Sequence, residues 1–167
     1  EKFLNKSVKS VLDQSYKNWE LIFWDNKSTD DSKKKIKNFK DNRIKYFYSK
    51  NFFTLYKSRN LAIKKAKGKY ICFLDTDDIW YPNKLEFQIS LVGAGNLALI
   101  YAGVDVMDHS GVIISRIRPK PKRGKVLDYL LGQFDIDMVT PMVNRKFLLK
   151  YDITFNEKIY ASEELLG

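Results

Sequence analysis

Two apolar runs in this chain end abruptly in acid. "ELIFWD" (Glu20 to Asp25) stops at Asp25, and "KYICFLD" (Lys69 to Asp75) stops at Asp75, followed at once by Asp77 and Asp78. Both runs are short, rich in aromatic and branched residues and bounded by polar turn residues, as buried strands are. "IKYFYS" (Ile44 to Ser49) and "LALIYAGVDVMD" (Leu97 to Asp108) have the same character, and segments of helical period lie between the runs. "SVKSVLDQ" sets Val8, Val11 and Leu12 on one side, and "STDDSKKKIKNF" offers Ser28, Thr29 and Asp30 as N-terminal caps. "LYKSRNLAIKKAKG" aligns Leu55, Ala62, Ile63 and Ala66 and stops at Gly68, while "PNKLEFQISLV" opens on Pro82, which suits a first helical turn. This alternation predicts a layered α/β fold with a largely parallel sheet. In such sheets ligands bind outside the carboxyl ends of the strands, so Asp25 and Asp75 are expected to flank one crevice.

A chain of 167 residues is one domain's worth, able to bury a single core. The longest apolar run, Leu91 to Val104, is too short and too broken by glycine to span a bilayer. No signal-like segment opens the chain, and its one cysteine, Cys72, has no disulfide partner, so a reducing, cytoplasmic setting is expected. The net charge of +10 is uneven: residues 1–70 carry +12, 71–115 carry −5, 116–125 carry +6 and 126–167 carry −3. Basic surface suits phosphates, nucleic acid or an anionic membrane face, whereas a local concentration of acid suits a divalent cation. "DHSG" (Asp108 to Gly111) predicts a hairpin turn between "YAGVDVMD" and "VIIS". "RIRPKPKRGK" (Arg116 to Lys125), with two prolines and six basic residues, is expected to be an exposed, mobile loop that meets a membrane face.

The acidic turn admits several chemistries. A calcium EF-hand is excluded, because Ile79 and Trp80 stand where that loop needs an oxygen ligand and a glycine. With one histidine, His109, in a turn and Cys72 in a core strand, neither a Ser-His-Asp arrangement nor a His/Cys zinc site can be assembled. Carboxylates must carry the chemistry. If the chain stays extended past Leu74, Asp75 and Asp77 project to one side, where hard oxygens suit Mg²⁺ or Mn²⁺ shared with substrate phosphates. The bland alternative is a solvated turn that caps the following helix.

The neighbouring residues carry a resemblance. "KGKYICFLDTDDIWYPNKLEFQ" is similar to the central motif of the family 2 glycosyltransferases, enzymes of the GT-A fold. "SVLDQSYKNWELIFWDNKSTDDS" resembles that family's first helix and second strand, "YKSRNLAIKKAKG" its Arg-Asn helix, and "TPMVNRKFLLKYDITFNEKIYASEELLG" its acceptor-side strand and acidic pair. The resemblance implies a Rossmann-like three-layer fold with a mostly parallel central sheet. The family's first apolar strand has no counterpart here, and the chain stops just after the acidic pair, so a fragment of a longer protein is expected. One catalytic domain over residues 1–167 is implied, with a nucleotide-sugar half in 1–108 and an acceptor-side half in 109–167.

By resemblance, Asp25 hydrogen-bonds the nucleobase, Asp75 lies by the ribose and sugar, Asp77 binds Mn²⁺ or Mg²⁺ on the diphosphate, and Arg59 faces phosphate or donor sugar. Glu163 or Glu164 is the catalytic base. The implied reaction moves a sugar from a nucleotide diphosphate, most simply a UDP-sugar, to a saccharide or lipid-linked acceptor with inversion, for bacterial surface polysaccharide or glycolipid. Peripheral association with the inner face of the membrane is part of that expectation, and binding of nucleic acid is not. Two rivals remain open: an inactive relative that only binds a sugar nucleotide, and a nucleic-acid module built on "IKYFYSKNFF".

Overall fold

The computed structural model describes residues 2–92, 97–119 and 137–158. Its first unit is a parallel strand pair, β1 (Leu21–Asp25) and β2 (Ile44–Tyr48), in register from Leu21 opposite Ile44 to Asp25 opposite Tyr48. Side chains on a strand alternate between faces. Leu21, Phe23, Ile44 and Tyr46 therefore share one face, where helices α1 (Leu4–Leu12) and α2 (Ser32–Asn38) cover them with Leu4, Val8 and Ile36. Trp24 and Phe47 stack on the opposite face, their rings 6.5 Å apart, and α3 (Leu55–Lys65) packs against β1. Helices thus sandwich the sheet.

The second unit is an antiparallel ladder in the order β3 (Tyr70–Cys72), β7 (Met142–Asn144), β4 (Leu99–Ile100). Helix α4 (Lys84–Val92) seals it with Leu85 and Val92 against Met142, Tyr70, Cys72 and Ile100. A short helix, α5 (Arg145–Lys150), leaves β7, capped by the Asn144 side chain, which accepts from the Lys146 N–H. The third unit is the expected hairpin, β5 (Val104–Met107) with β6 (Ile113–Ile117). At its turn Asp108 Oδ1 accepts from the Ser110 and Val112 N–H groups, and Gly111 takes the positive φ of 91° that other residues avoid.

Four expectations shift in detail. The run Leu97 to Asp108 is not one strand, because the chain breaks between β4 and β5 and a Cβ on Gly103 would stand 2.5 Å from the Ile117 carbonyl oxygen. Helix α3 ends at Lys65 with Ala66 already extended, so Gly68 does not close it; the Lys67 and Gly68 N–H groups go instead to the Glu20 carboxylate. Helix α4 begins at Lys84, and the Pro82 carbonyl serves to receive the Ser15 N–H at 2.8 Å. Of the basic segment, Arg116 and Ile117 belong to β6, and Lys120 to Lys125 lie outside the described residues.

Strands β1 and β3 belong to separate ladders, β1 pairing with β2 and β3 with β7. Both line a cavity of about 910 Å³.

Candidate active site

The acidic turn stands at the end of that cavity, whose lining includes Asn26, Arg59, Asp75, Asp77, Asp78 and Asp137. Ladder pairing of β3 ends at Cys72, and the backbone then folds into a turn that the Asp78 N–H closes on the Asp75 carbonyl at 3.2 Å. Ser7 of α1 pins the same carbonyl with its hydroxyl at 3.2 Å. The segment past Leu74 is therefore not extended, and the turn rather than strand alternation sets the direction of Asp77.

Each acid in the turn has a different environment. Asp75 receives two hydrogen bonds from Arg59 Nη2, at 2.9 and 3.1 Å. The Arg59 side chain is 12% exposed and that of Asp75 43%, so the pair reaches from the interior to the cavity. Arg59 also stands over the rings of Phe73 and Phe155, 5.9 and 5.7 Å from their centroids. Expected to face phosphate or donor sugar, Arg59 holds the Asp75 carboxylate in this structure, at the cavity it also lines. Asp77 is exposed, and among the described residues no cation or donor engages its carboxylate. Asp78 is half-buried: burial, then the charges of Asp77, Asp75 and Asp137, push its carboxyl up to about 6.

Asp25, at the carboxyl end of β1, is 2% exposed. One carboxylate oxygen accepts from the Ser28 N–H at 2.7 Å, closing the turn after the strand, and the other accepts from the Tyr46 hydroxyl. Burial, followed by these contacts with Asp25, raises the Tyr46 phenol above its ordinary value. Beside it, Asn26 reaches across to the loop after β2, donating to the Phe53 carbonyl at 2.7 Å and accepting from its N–H at 3.1 Å. Glu163 and Glu164 lie outside the described residues.

The sequence signalled some of this assembly and missed the rest. Asp137 comes to the acidic turn from just before β7, and the two acids of "QFDIDMVT", Asp135 and Asp137, give no sign of that. Tyr46 looked like one more residue of an alternating strand, yet it holds Asp25. The indole N–H groups of Trp19, Trp24 and Trp80 and the Ser58 hydroxyl are buried without a partner among the described residues, and all four side chains line the cavity.

Carboxylates gathered at a large cavity, one of them held by an arginine, suit a ligand that arrives with a cation. The family model for glycosyl transferase family 2 matches residues 1–151. This chain belongs to that family. It is 33% identical over 158 residues to the UDP-Glc:alpha-D-GlcNAc-diphosphoundecaprenol beta-1,3-glucosyltransferase WfgD of Escherichia coli, covering 95% of this chain and 61% of that one. The chain therefore spans less than two thirds of that relative. The crystal structure of S. aureus TarS 1-349 in complex with UDP-GlcNAc superposes with a TM-score of 0.80 at 20% identity, over 99% of this chain and 48% of that one. A mannosyltransferase from Pyrobaculum calidifontis, in complex with GDP-Man and Mn²⁺, gives 0.68 at 12% identity, over 95% and 45%. These likenesses show the fold, the three-layer GT-A arrangement anticipated from the sequence.

Proposed function

We propose that the chain forms the donor side, and part of the acceptor side, of an inverting glycosyltransferase that uses a nucleotide-diphosphate sugar, most simply a UDP-sugar. The observation that carries this reading is the acidic turn at the cavity, with one carboxylate fixed by arginine and its neighbour left free. Support for the donor comes from the relatives: the E. coli protein is named for UDP-Glc, and TarS was crystallised with UDP-GlcNAc. The name of the E. coli protein, in which alpha-D-GlcNAc-diphosphoundecaprenol stands beside UDP-Glc, favours a lipid-linked saccharide acceptor and a role in surface polysaccharide or glycolipid synthesis. Residues 1–108 would hold the donor and 109–167 would face the acceptor.

The residues present fit a Mn²⁺ or Mg²⁺ ion. Hard oxygen is the right donor type, and an ion of this kind needs only one or two carboxylates when substrate phosphates and water complete its shell. Asp77, exposed and unengaged, is the residue that would hold it. Bound there, the cation would supply charge neutralisation for the departing nucleoside diphosphate.

The remaining roles belong to the chain itself. Arg59 holds Asp75 so that its carboxylate keeps one orientation toward ribose and sugar. Asp25 sits at the nucleobase end, where its buried carboxylate stiffens the turn through Ser28 and Tyr46 and orients the adjacent Asn26. Glu164 or Glu163 takes the proton of an acceptor hydroxyl as that oxygen bonds to the anomeric carbon. The bond from that carbon to the diphosphate oxygen breaks on the opposite face, and the configuration inverts. General-base help of this type contributes roughly 10²–10⁴-fold.

No helix among the described residues is long and apolar enough to cross a membrane. The β5–β6 hairpin, with Ile114 65% exposed and the basic run from Arg116 to Lys125 at its end, would bring the enzyme to the inner, anionic face of a bilayer. Sedimentation with anionic and with neutral vesicles tests that docking, and equal sedimentation refutes it. The donor reading is tested by calorimetry of UDP with and without Mn²⁺, followed by turnover of UDP-glucose, UDP-GlcNAc and GDP-mannose by the full-length protein. Metal-dependent UDP binding with turnover of one donor is expected. UDP binding without turnover would mark an inactive relative, and tight binding of oligonucleotides instead of UDP would overturn the reading.

A further inference from the structure

Beside Arg59 on α3, Asn60 is 5% exposed, and its amide is completely engaged across 95 residues of sequence. Asn60 Oδ1 accepts from the Phe155 N–H at 2.9 Å, and Asn60 Nδ2 donates to the Phe155 carbonyl at 2.9 Å and to Glu157 Oε1 at 3.1 Å. An amide side chain with one acceptor and two donors thus pairs with the Phe155 backbone as a neighbouring strand would. Aspartate has no donors to offer there, and glutamine is one methylene too long. The Phe155 ring is also clamped, stacked on Tyr56 at 5.7 Å and edge-on to Phe73 at 5.4 Å, with the Arg59 guanidinium over it.

Consecutive residues of one helix therefore reach in two directions. Arg59 fixes Asp75 on the donor side, two residues after Phe73, and Asn60 fixes Phe155 to Glu157, the segment that precedes Glu163 and Glu164 in the chain. We propose that Asn60 is a positioning residue for the transfer step, latching the acceptor-side segment Phe155–Glu157 to the helix that orients the donor-side carboxylate. The proposal rests on the transferase reading above. It adds that the separation of the two sides of the site is set by one buried amide. Asp75 is held by Arg59 and Asp77 has no side-chain partner among the described residues, so loss of the latch spares donor binding and slows transfer. A misplacement of about 1 Å between reacting groups can cost on the order of 10²-fold in rate.

The test uses the full-length protein with three changes: Asn60→Asp, Glu157→Ala, and Asn60→Asp combined with Glu157→Gln. Asn60→Asp keeps the size but replaces the donating nitrogen with an oxygen that repels the carbonyl and the carboxylate it faces. In the combined variant the amide introduced at position 157 can donate one bond back to the carboxylate introduced at position 60. Amide hydrogen exchange over residues 153–158, UDP affinity with Mn²⁺, and kcat with the best UDP-sugar donor are measured on each. Asn60→Asp is expected to speed exchange in that segment and lower kcat by roughly 10–100-fold with UDP affinity unchanged. The double variant recovers part of kcat, and Glu157→Ala, on an exposed residue, lowers it by a smaller factor. Unchanged kcat, or UDP affinity that falls in step with kcat across the series, overturns the proposal. Wild-type protein that neither binds UDP nor turns over a sugar nucleotide overturns the transferase reading and this inference with it, whereas wild-type turnover untouched by the variants sinks only the latch.

Discussion

Glu20 and Asp78 are both partly buried carboxyl groups, and the fold treats them in opposite ways. Glu20 sits at the amino end of β1, where its oxygens accept from Lys45 Nζ at 2.7 Å, the Lys67 N–H at 2.6 Å and the Gly68 N–H at 3.0 Å. Burial raises its pKa, but these bonds together outweigh burial and hold it below the ordinary glutamate value. Asp78, past the carboxyl end of β3, meets burial and three other acids, so its carboxyl is pushed up to about 6. Glu20 ties the end of α3 and the start of β3 to β1. Asp78 lies among Asp75, Asp77 and Asp137, where charge is crowded, and under the proposed function a bound cation would share it. The start of β1 is thus tied down by hydrogen bonds, whereas the turn past the carboxyl end of β3 keeps its charges crowded, the kind of place where α/β folds bind ligands.

The largest effect that sharpens this contrast is expected from Asp77→Ala. This change removes an exposed carboxylate without a partner among the described residues, so thermal stability should stay within about 0.5 kcal/mol of wild type. Metal-dependent UDP binding, measured by calorimetry, should fall by at least about 100-fold, since one carboxylate is a large share of the protein's contribution to such an ion. A variant that binds UDP and Mn²⁺ normally would remove Asp77 from the site and break the contrast. A smaller effect is expected from Arg59→Lys. Lysine keeps the charge but cannot reproduce the guanidinium plane over Phe73 and Phe155 or its hold on both Asp75 oxygens. Turnover should drop roughly 10-fold while UDP affinity changes little, read as kcat against the dissociation constant.

How much of this was legible in the sequence follows the same divide. The strands announced themselves through short apolar runs, and Asp75 stood out as an acid past the end of one, because both signals are local in the chain; Asp75 lines the cavity, whereas Asp25 is buried against Ser28 and Tyr46 and is not part of its lining. The turn at Asp75–Asp78 defeated the period-two expectation: the Asp78 N–H closes it on the Asp75 carbonyl, which Ser7, 68 positions away, also holds. Arg59 stood out as a cation in "SRN", but its partner Asp75 could not be read from letters, and Asn60 beside it gave no hint of Phe155. Asp137 and Tyr46 were invisible for the same reason: their roles arise from pairings between elements, which no local pattern encodes. Gly68 shows the converse failure, a good C-terminal cap by type that was drawn off by Glu20.

Glu20→Ala should cost about 1–2 kcal/mol at neutral pH, since three donors lose their acceptor at the edge of the core and water can reach only some of them. Denaturant titration at several pH values then separates the two acids. The folded-state pKa of Glu20 is lowered, so its contribution is fully present above its unfolded value near 4.5 and is lost as pH falls below it. Glu20→Ala and wild type should therefore converge in acid.

Asp78 gives the smallest effect and the opposite sign. Its folded-state pKa of about 6 exceeds the ordinary 3.8, so between these values the folded protein holds a proton that the unfolded chain has released. Stability contributed by this group therefore falls as pH rises through that window and levels off above pH 6. Asp78→Asn cannot ionise and should escape the fall. With chelator present, its denaturation midpoint should match wild type near pH 4 and move above it by about pH 7. A constant difference between the two proteins across that range would mean that the neighbouring acids do not press on Asp78, and the crowded end of the sheet would then carry no electrostatic strain for a cation to relieve.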